Sequence, residues 1–80
     1  MHVAVELSLY PLTGEFIPPI QDFIDRLNAH ADIRVQTNSM STQVSGDYAT
    51  VMQALQAEIA RTFEGPTRAV VVMKVLGGGD

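Results

Sequence analysis

The residues best suited to chemistry in this chain stand two apart on one alternating run. They are Glu6, Ser8 and Tyr10, within Val3-Ala4-Val5-Glu6-Leu7-Ser8-Leu9-Tyr10. A period of two sends alternate side chains to opposite sides of a strand. A carboxylate, a hydroxyl and a phenol therefore share one face, while Val3, Val5, Leu7 and Leu9 share the other. A carboxylate in mid-strand costs free energy unless it is solvated, paired or bound to a ligand. Glu6 either accepts hydrogen bonds from a ligand or forms a salt bridge with Arg34, Lys74 or a partner chain. Tyr10 can stack on a flat ring, donate a hydrogen bond or fill a subunit contact. Ser8, Ser41, Thr42 and Ser45 can act as polar tips in a pocket, and Met40 can line a groove or fill core. None of these hydroxyls has a nearby His and carboxylate to make it a nucleophile, so no catalytic set is expected. His2 and His30 have no ligand-spaced partners and read as surface residues, so no metal site and no cofactor are expected.

The elements that position these residues follow from periodicity. Val3 to Tyr10 reads as a strand ended by Pro11 and Thr13-Gly14. Pro18-Pro19 opens a helix, and Ile20, Phe23, Ile24 and Leu27 form its apolar stripe at i, i+3, i+4 and i+7. Asp22 and Asp25 suit the positive end of its dipole. Ile33 to Thr37 and Met40 to Ser45 alternate about the turn signal Asn38-Ser39 and predict a hairpin, with room for a bulge near Met40. After the N-cap candidate Gly46-Asp47, a second stripe runs through Tyr48, Val51, Met52, Leu55, Ile59 and Phe63. Gln53, Gln56, Glu58 and Arg61 are expected to face away from it, and Gly65-Pro66 stops the helix. Ala69 to Leu76 is apolar almost throughout and predicts a strand buried on both faces. Gly77 to Asp80 reads as a loose tail, not a phosphate loop, since no helix follows it. The order strand, helix, strand, strand, helix, strand is that of a ferredoxin-like α+β fold. Right-handed crossovers then place both helices on one face of a four-stranded antiparallel sheet whose first and third strands are central.

Composition narrows the partners. With 80 residues, the chain is read as a single domain over residues 1–80. A domain this small is marginal as a monomer. It contains no Cys, hence no disulfide, thiolate site or cysteine nucleophile. An efficient core or a homo-oligomer, dimer or tetramer, is the expected support. The net charge of -4 argues against nucleic acid. No apolar run is long enough to span a membrane and no basic stretch precedes an apolar one at the start, so a soluble, cytoplasmic protein is expected. The sheet face away from the helices carries Glu6, Ser8 and Tyr10 with Arg34, Gln36, Ser41, Gln43 and Ser45. The last strand adds either Val70, Val72 and Lys74 or Val71, Met73 and Val75. Such a half-apolar face suits a second subunit or a ligand groove.

Three stretches resemble the small thiamine-binding proteins of the YkoF-like group. They are Val5-Glu6-Leu7-Ser8-Leu9-Tyr10-Pro11-Leu12, the hairpin Asn38 to Gly46, where the group reads G-P-M-G-T-x-I-E-G, and Arg68 to Val75, which is similar to its R-V-x-x-x-I-K-I strand. The resemblance spans essentially the whole chain. It implies a ferredoxin-like fold, dimers that pair into tetramers, and non-enzymatic binding of thiamine or its hydroxymethylpyrimidine moiety. Glu6, Ser8, Met40 and Thr42 stand at matching motif positions and, with Tyr10, are the candidate ligand-binding residues. The chain departs from the pattern at Ser45, where the group has Glu, at Asn38 and Ser41, which replace glycines, and in its Gly-Gly-Gly-Asp ending. The competing expectation is a structural or regulatory oligomerisation module with no small ligand. An isomerase-like activity based on Glu6 lacks a second acid-base group.

Overall fold

The computed structural model describes residues 1–79. Its elements are β1 (His2–Pro11), α1 (Ile17–Asn28), β2 (Arg34–Thr37), β3 (Thr42–Asp47), α2 (Tyr48–Glu64) and β4 (Ala69–Gly77). The sheet order is β2-β3-β1-β4, and every neighbouring pair is antiparallel. This is the ferredoxin-like α+β fold that the sequence implies. The core lies between the sheet and the helices: Val3, Val5, Leu7 and Leu9 of β1 and Val44 of β3 meet Phe23 and Leu27 of α1 and Val51 and Leu55 of α2. The odd-numbered positions of β1 thus face the helices, as alternation requires.

Register decides the other face. Across β1 and β4, Glu6 opposes Lys74, Ser8 opposes Val72 and Tyr10 opposes Val70. Cross-strand partners share a face, so Val70, Val72 and Lys74 take the open side. On the β3 side, Glu6 opposes Gln43 and Ala4 opposes Ser45. The expectation that β4 is buried on both faces is not met. Val70, Val72, Met73, Val75 and Leu76 are all exposed. As an edge strand, β4 is covered by a neighbour on one side only, and its helix-facing side chains lie at the margin of the helix layer. Its valine content reflects strand propensity and an apolar surface, not enclosure.

Smaller expectations need correction. α1 begins at Ile17, one residue before the proline pair, with Phe16 as an N-cap that offers no side-chain hydrogen bond. Asp22 lies past its first turn and pairs with Arg26 Nε at 2.9 Å. Asp25 accepts from Gln21 Nε2 at 2.8 Å. Both act along the helix face and not at its dipole. Met40 and Ser41 belong to the turn, not to β3. Asn38 Oδ1 accepts from the N–H groups of Met40 at 2.8 Å and Ser41 at 3.0 Å, which closes the hairpin without a bulge in a continuous register from Arg34↔Ser45 to Thr37↔Thr42. Gly77 ends β4 opposite Val3 and is not tail; a Cβ there would stand 3.1 Å from Val3 Cγ1. Asp80 lies outside the described residues.

Candidate functional site

β1 is longer than its inner partner. Its last pairing with β3 is Leu7↔Thr42, whereas β4 follows it to Pro11↔Ala69. From Ser8 onward the side of β1 away from β4 has no strand beside it. The backbone groups pointing that way are left to solvent or a ligand. A cleft of about 500 Å³ occupies this gap. Because the sheet is interrupted there, both faces of β1 contribute to its walls: Leu7 and Leu9 from the helix side, Ser8 and Tyr10 from the open side. Phe16, at the N-cap of α1, and Ile20, Phe23 and Ile24 along that helix form a second wall, and the hairpin turn from Thr37 to Thr42 forms a third.

The five sequence-derived candidates fall into three situations. Ser8, Tyr10, Met40 and Thr42 all line the cleft. Ser8 Oγ donates to the Met40 carbonyl at 3.5 Å, and Met40 is 85% exposed. Tyr10 is exposed, with room to lie against a ring. Thr42 is different: it is buried on the helix side and shares a 3.2 Å hydroxyl contact with Thr37. It props the wall from behind. Glu6 does not line the cleft but stands beside it on the open face. Ser41 Oγ, at the cleft wall, donates to Glu6 Oε2 at 3.3 Å, and Lys74 Nζ lies 3.9 Å from Glu6 Oε1. Both contacts are long, and the side chain of Glu6 is 49% exposed. The carboxylate keeps spare lone pairs for another donor.

The sequence reading missed a second carboxylate. Glu58, expected on the outer face of α2, is 2% exposed. Its Oε1 accepts from Arg26 Nη1 at 2.9 Å and its Oε2 meets His30 Nε2 at 2.7 Å. Arg61 Nη1 adds contacts at 3.4 and 3.5 Å. Burial pushes this carboxyl up, but the hydrogen bonds from His30 and Arg26 and the charge of Arg61 outweigh it and hold it below the usual carboxylate range. An ionised carboxylate only accepts, so we assign the imidazole proton to Nε2. His30 is therefore committed to the joint between α1 and α2. A smaller cavity of about 420 Å³ borders this cluster, with Arg26, Arg61 and Thr62 in its wall. Arg26 makes four hydrogen bonds there, to Asp22, Glu58 and Thr62. The spacing carried a signal: Glu58 follows Val51 by seven and Leu55 by three, on the buried stripe itself.

The length of the match settles the relationship, since residues 2–76 align with the YKOF-related family. The chain belongs to that family. Among solved structures, it is similar to a hypothetical protein from Methanocaldococcus jannascii, with a TM-score of 0.75 and 23% identity over 99% of this chain and 82% of that one. A Streptococcus pneumoniae protein gives a TM-score of 0.76 and 17% identity over 98% of this chain and 88% of that one. A Thermotoga maritima protein, described as a proposed thiamine biosynthesis or salvage protein, gives 0.69 and 15% over 94% and 82%. At these identities the structural likenesses establish the fold alone. No curated protein matches the chain. No helix of this YKOF-related chain, among the described residues, is long and apolar enough to cross a membrane.

Proposed function

We propose that this YKOF-related protein is a non-catalytic carrier of thiamine or its hydroxymethylpyrimidine moiety. The ligand lies along the unpaired end of β1, with Glu6 at the lip. The observation that carries this reading is the gap beside Ser8–Pro11, where strand backbone, Ser8, Tyr10 and Met40 surround a cleft next to an under-used carboxylate. Membership of the family, and a Thermotoga maritima relative by fold described in terms of thiamine biosynthesis or salvage, support the choice of ligand. An aminopyrimidine offers an exocyclic amine beside a ring nitrogen. When that nitrogen is protonated, a carboxylate accepts from both at once in a charge-assisted pair. Tyr10 and Met40 supply surfaces for the flat ring, and a cleft of this size is within the range of small-molecule sites.

Exposed Tyr10, Val70 and Val72 occupy the open face beside Glu6. A second copy laid on this face covers that apolar surface and closes the mouth of the cleft, so carrying and assembly are one arrangement in this proposal. The alternative, an oligomerisation module with no ligand, rests on the same valines. The carrier reading treats the ligand as unchanged. Glu6 has Lys74 and Ser41 beside it, while His30 is held by Glu58 in the helix layer. General acid-base catalysis works best with a second group poised near the operating pH.

Calorimetry with thiamine and with hydroxymethylpyrimidine tests the proposal. Saturable heat for either, lost in Glu6→Gln, is expected. No heat at millimolar concentration from a folded sample sinks it and leaves the assembly module, whose mass in solution would not respond to either compound.

A further inference from the structure

The other flank of α1 borders a second cavity, independent of the aminopyrimidine reading. Ile20 and Ile24 face the cleft already described, whereas Pro19, Asp22 and Arg26 border the smaller space of about 420 Å³. Its far wall is the end of α2, with Arg61. That volume lies within the range of small-molecule sites. Its charged groups are spent unequally. Arg26 donates to Asp22, Glu58 and Thr62. Arg61 is 65% exposed and reaches Glu58 through Nη1 at 3.4 and 3.5 Å. Glu58 already has closer donors in Arg26 and His30. The edge of Arg61 formed by Nε and Nη2 therefore has no acceptor among the described residues. Across the cavity, Asp22 Oδ2 accepts from Arg26 at 2.9 Å, and Asp22 Oδ1 has no donor among the described residues. The last carbonyls of α2 add to this negative pole, because a helix's final turn leaves them without intrahelical donors.

We infer that this cavity binds a small zwitterion, an amino acid with an apolar side chain. The free edge of the Arg61 guanidinium takes a carboxylate through two parallel N–H donors. An ammonium finds Asp22 Oδ1 and the carbonyl end of α2. The rings of Pro11, Pro19 and Pro66 supply apolar walls for the side chain. Charge balance selects against simpler ions. Asp22 and Glu58 offset Arg26 and Arg61, so the site favours neither sign as a whole. An anion alone meets Arg61 but also Asp22 and the helix end. A cation alone meets those two but also Arg61. Only a ligand that carries both charges answers both poles, and an analogue lacking one leaves a covered polar group unpaired.

The test is calorimetric titration of the intact chain with L-valine, L-leucine and L-phenylalanine, followed by the N-acetyl acid and the amide of whichever binds tightest. Saturable heat is expected for at least one amino acid, with both blocked forms weaker by about tenfold or more. Arg61→Lys keeps a positive charge beside Glu58 and at the end of α2 but lacks the two-pronged edge. It should melt with the native chain and bind the amino acid about tenfold more weakly. No heat from any of the three at millimolar concentration, in a folded sample, overturns the inference. An N-acetyl acid or an amide that binds as tightly as its parent also overturns it, since one charge then suffices. Native affinity in Arg61→Lys overturns it as well, because a fork of donors is then not what holds the ligand. None of these titrations contains an aminopyrimidine, so the two proposals stand or fall separately.

Discussion

Glu6 and Glu58 invite comparison because the same side chain is placed on opposite sides of one sheet with opposite treatment. Glu58, between α1 and α2, is 2% exposed and engaged by Arg26, His30 and Arg61. Glu6, on the open face, is 49% exposed and has only a 3.9 Å lysine and a 3.3 Å serine. A carboxylate whose lone pairs are all occupied in a closed joint is a structural part. One left with spare capacity beside a gap in the sheet is available to something outside the chain. Under the proposed function the two positions divide stability from binding, and substitutions should separate the two effects.

The largest effect is expected at the closed site. Glu58→Ala takes away the acceptor that Arg26 and His30 share and leaves Arg26 to its pairing with Asp22 alone among the described carboxylates. Removing one member of a buried pair costs about 3–5 kcal/mol when the partner stays buried. Here Arg26 and His30 retain 20% and 29% side-chain exposure and can recover some water, so we expect roughly 2–4 kcal/mol. Denaturant titration measures it as a fall in midpoint. A loss as small as that of Glu6→Ala would erase the distinction between the two sites. The same joint should respond to acid. Because the folded-state pKa of Glu58 lies below its ordinary 4.5, its contribution is complete above that value and is lost as pH falls through the lower one. The melting temperature of the native chain should drop more steeply as pH falls below 4.5 than that of Glu58→Gln. Parallel curves would assign acid sensitivity elsewhere.

The sequence made the fold legible because the alternation of β1 and β3 and the stripes of α1 and α2 are unambiguous, and short connections leave one topology. It also made the open-face position of Glu6 legible, since the period of two is rigid. Glu58 was not legible under the rule that charges face water. Only the three-dimensional meeting of Arg26, His30 and Arg61 repays its burial, and these residues are distant or unremarkable along the chain. β4 misled for the converse reason: a run of valines states strand preference without stating how many neighbours the strand has. The cleft was partly legible. Ser8, Tyr10, Met40 and Thr42 converge on it, but its existence depends on β1 outrunning β3 by four residues, Ser8 to Pro11. That difference in strand ends is set by the Asn38 turn, whose tight closure draws Met40 and Ser41 out of the strand.

At the open site the expected pattern is reversed. Glu6→Gln should leave stability within about 0.5 kcal/mol, as for an exposed residue away from the core. Binding of an aminopyrimidine should weaken by about tenfold or more, because a charge-assisted pair becomes a neutral contact. Chemical denaturation and calorimetry on the same preparation give both numbers. Unchanged affinity in Glu6→Gln would move the binding role away from this carboxylate and onto the cleft wall alone.

The smallest effect sharpens the comparison most finely. Lys74 can act as a minor structural partner of Glu6 or as a competitor for whatever Glu6 binds. The exposed pair contributes little to folding, so Lys74→Met should again leave stability within about 0.5 kcal/mol. If Glu6 receives a cationic ring, Lys74 repels it across a distance of one cross-strand pair, where two exposed charges interact by roughly 1 kcal/mol in a water-like medium. Removing the lysine should then tighten binding by about two- to fivefold at low ionic strength, with the gain shrinking as salt is added. Weaker binding in Lys74→Met would mean that the ligand presents a negative or acceptor group to this edge. Glu6 would then be the lysine's anchor, and the open face would resemble the closed joint more than its exposure suggests.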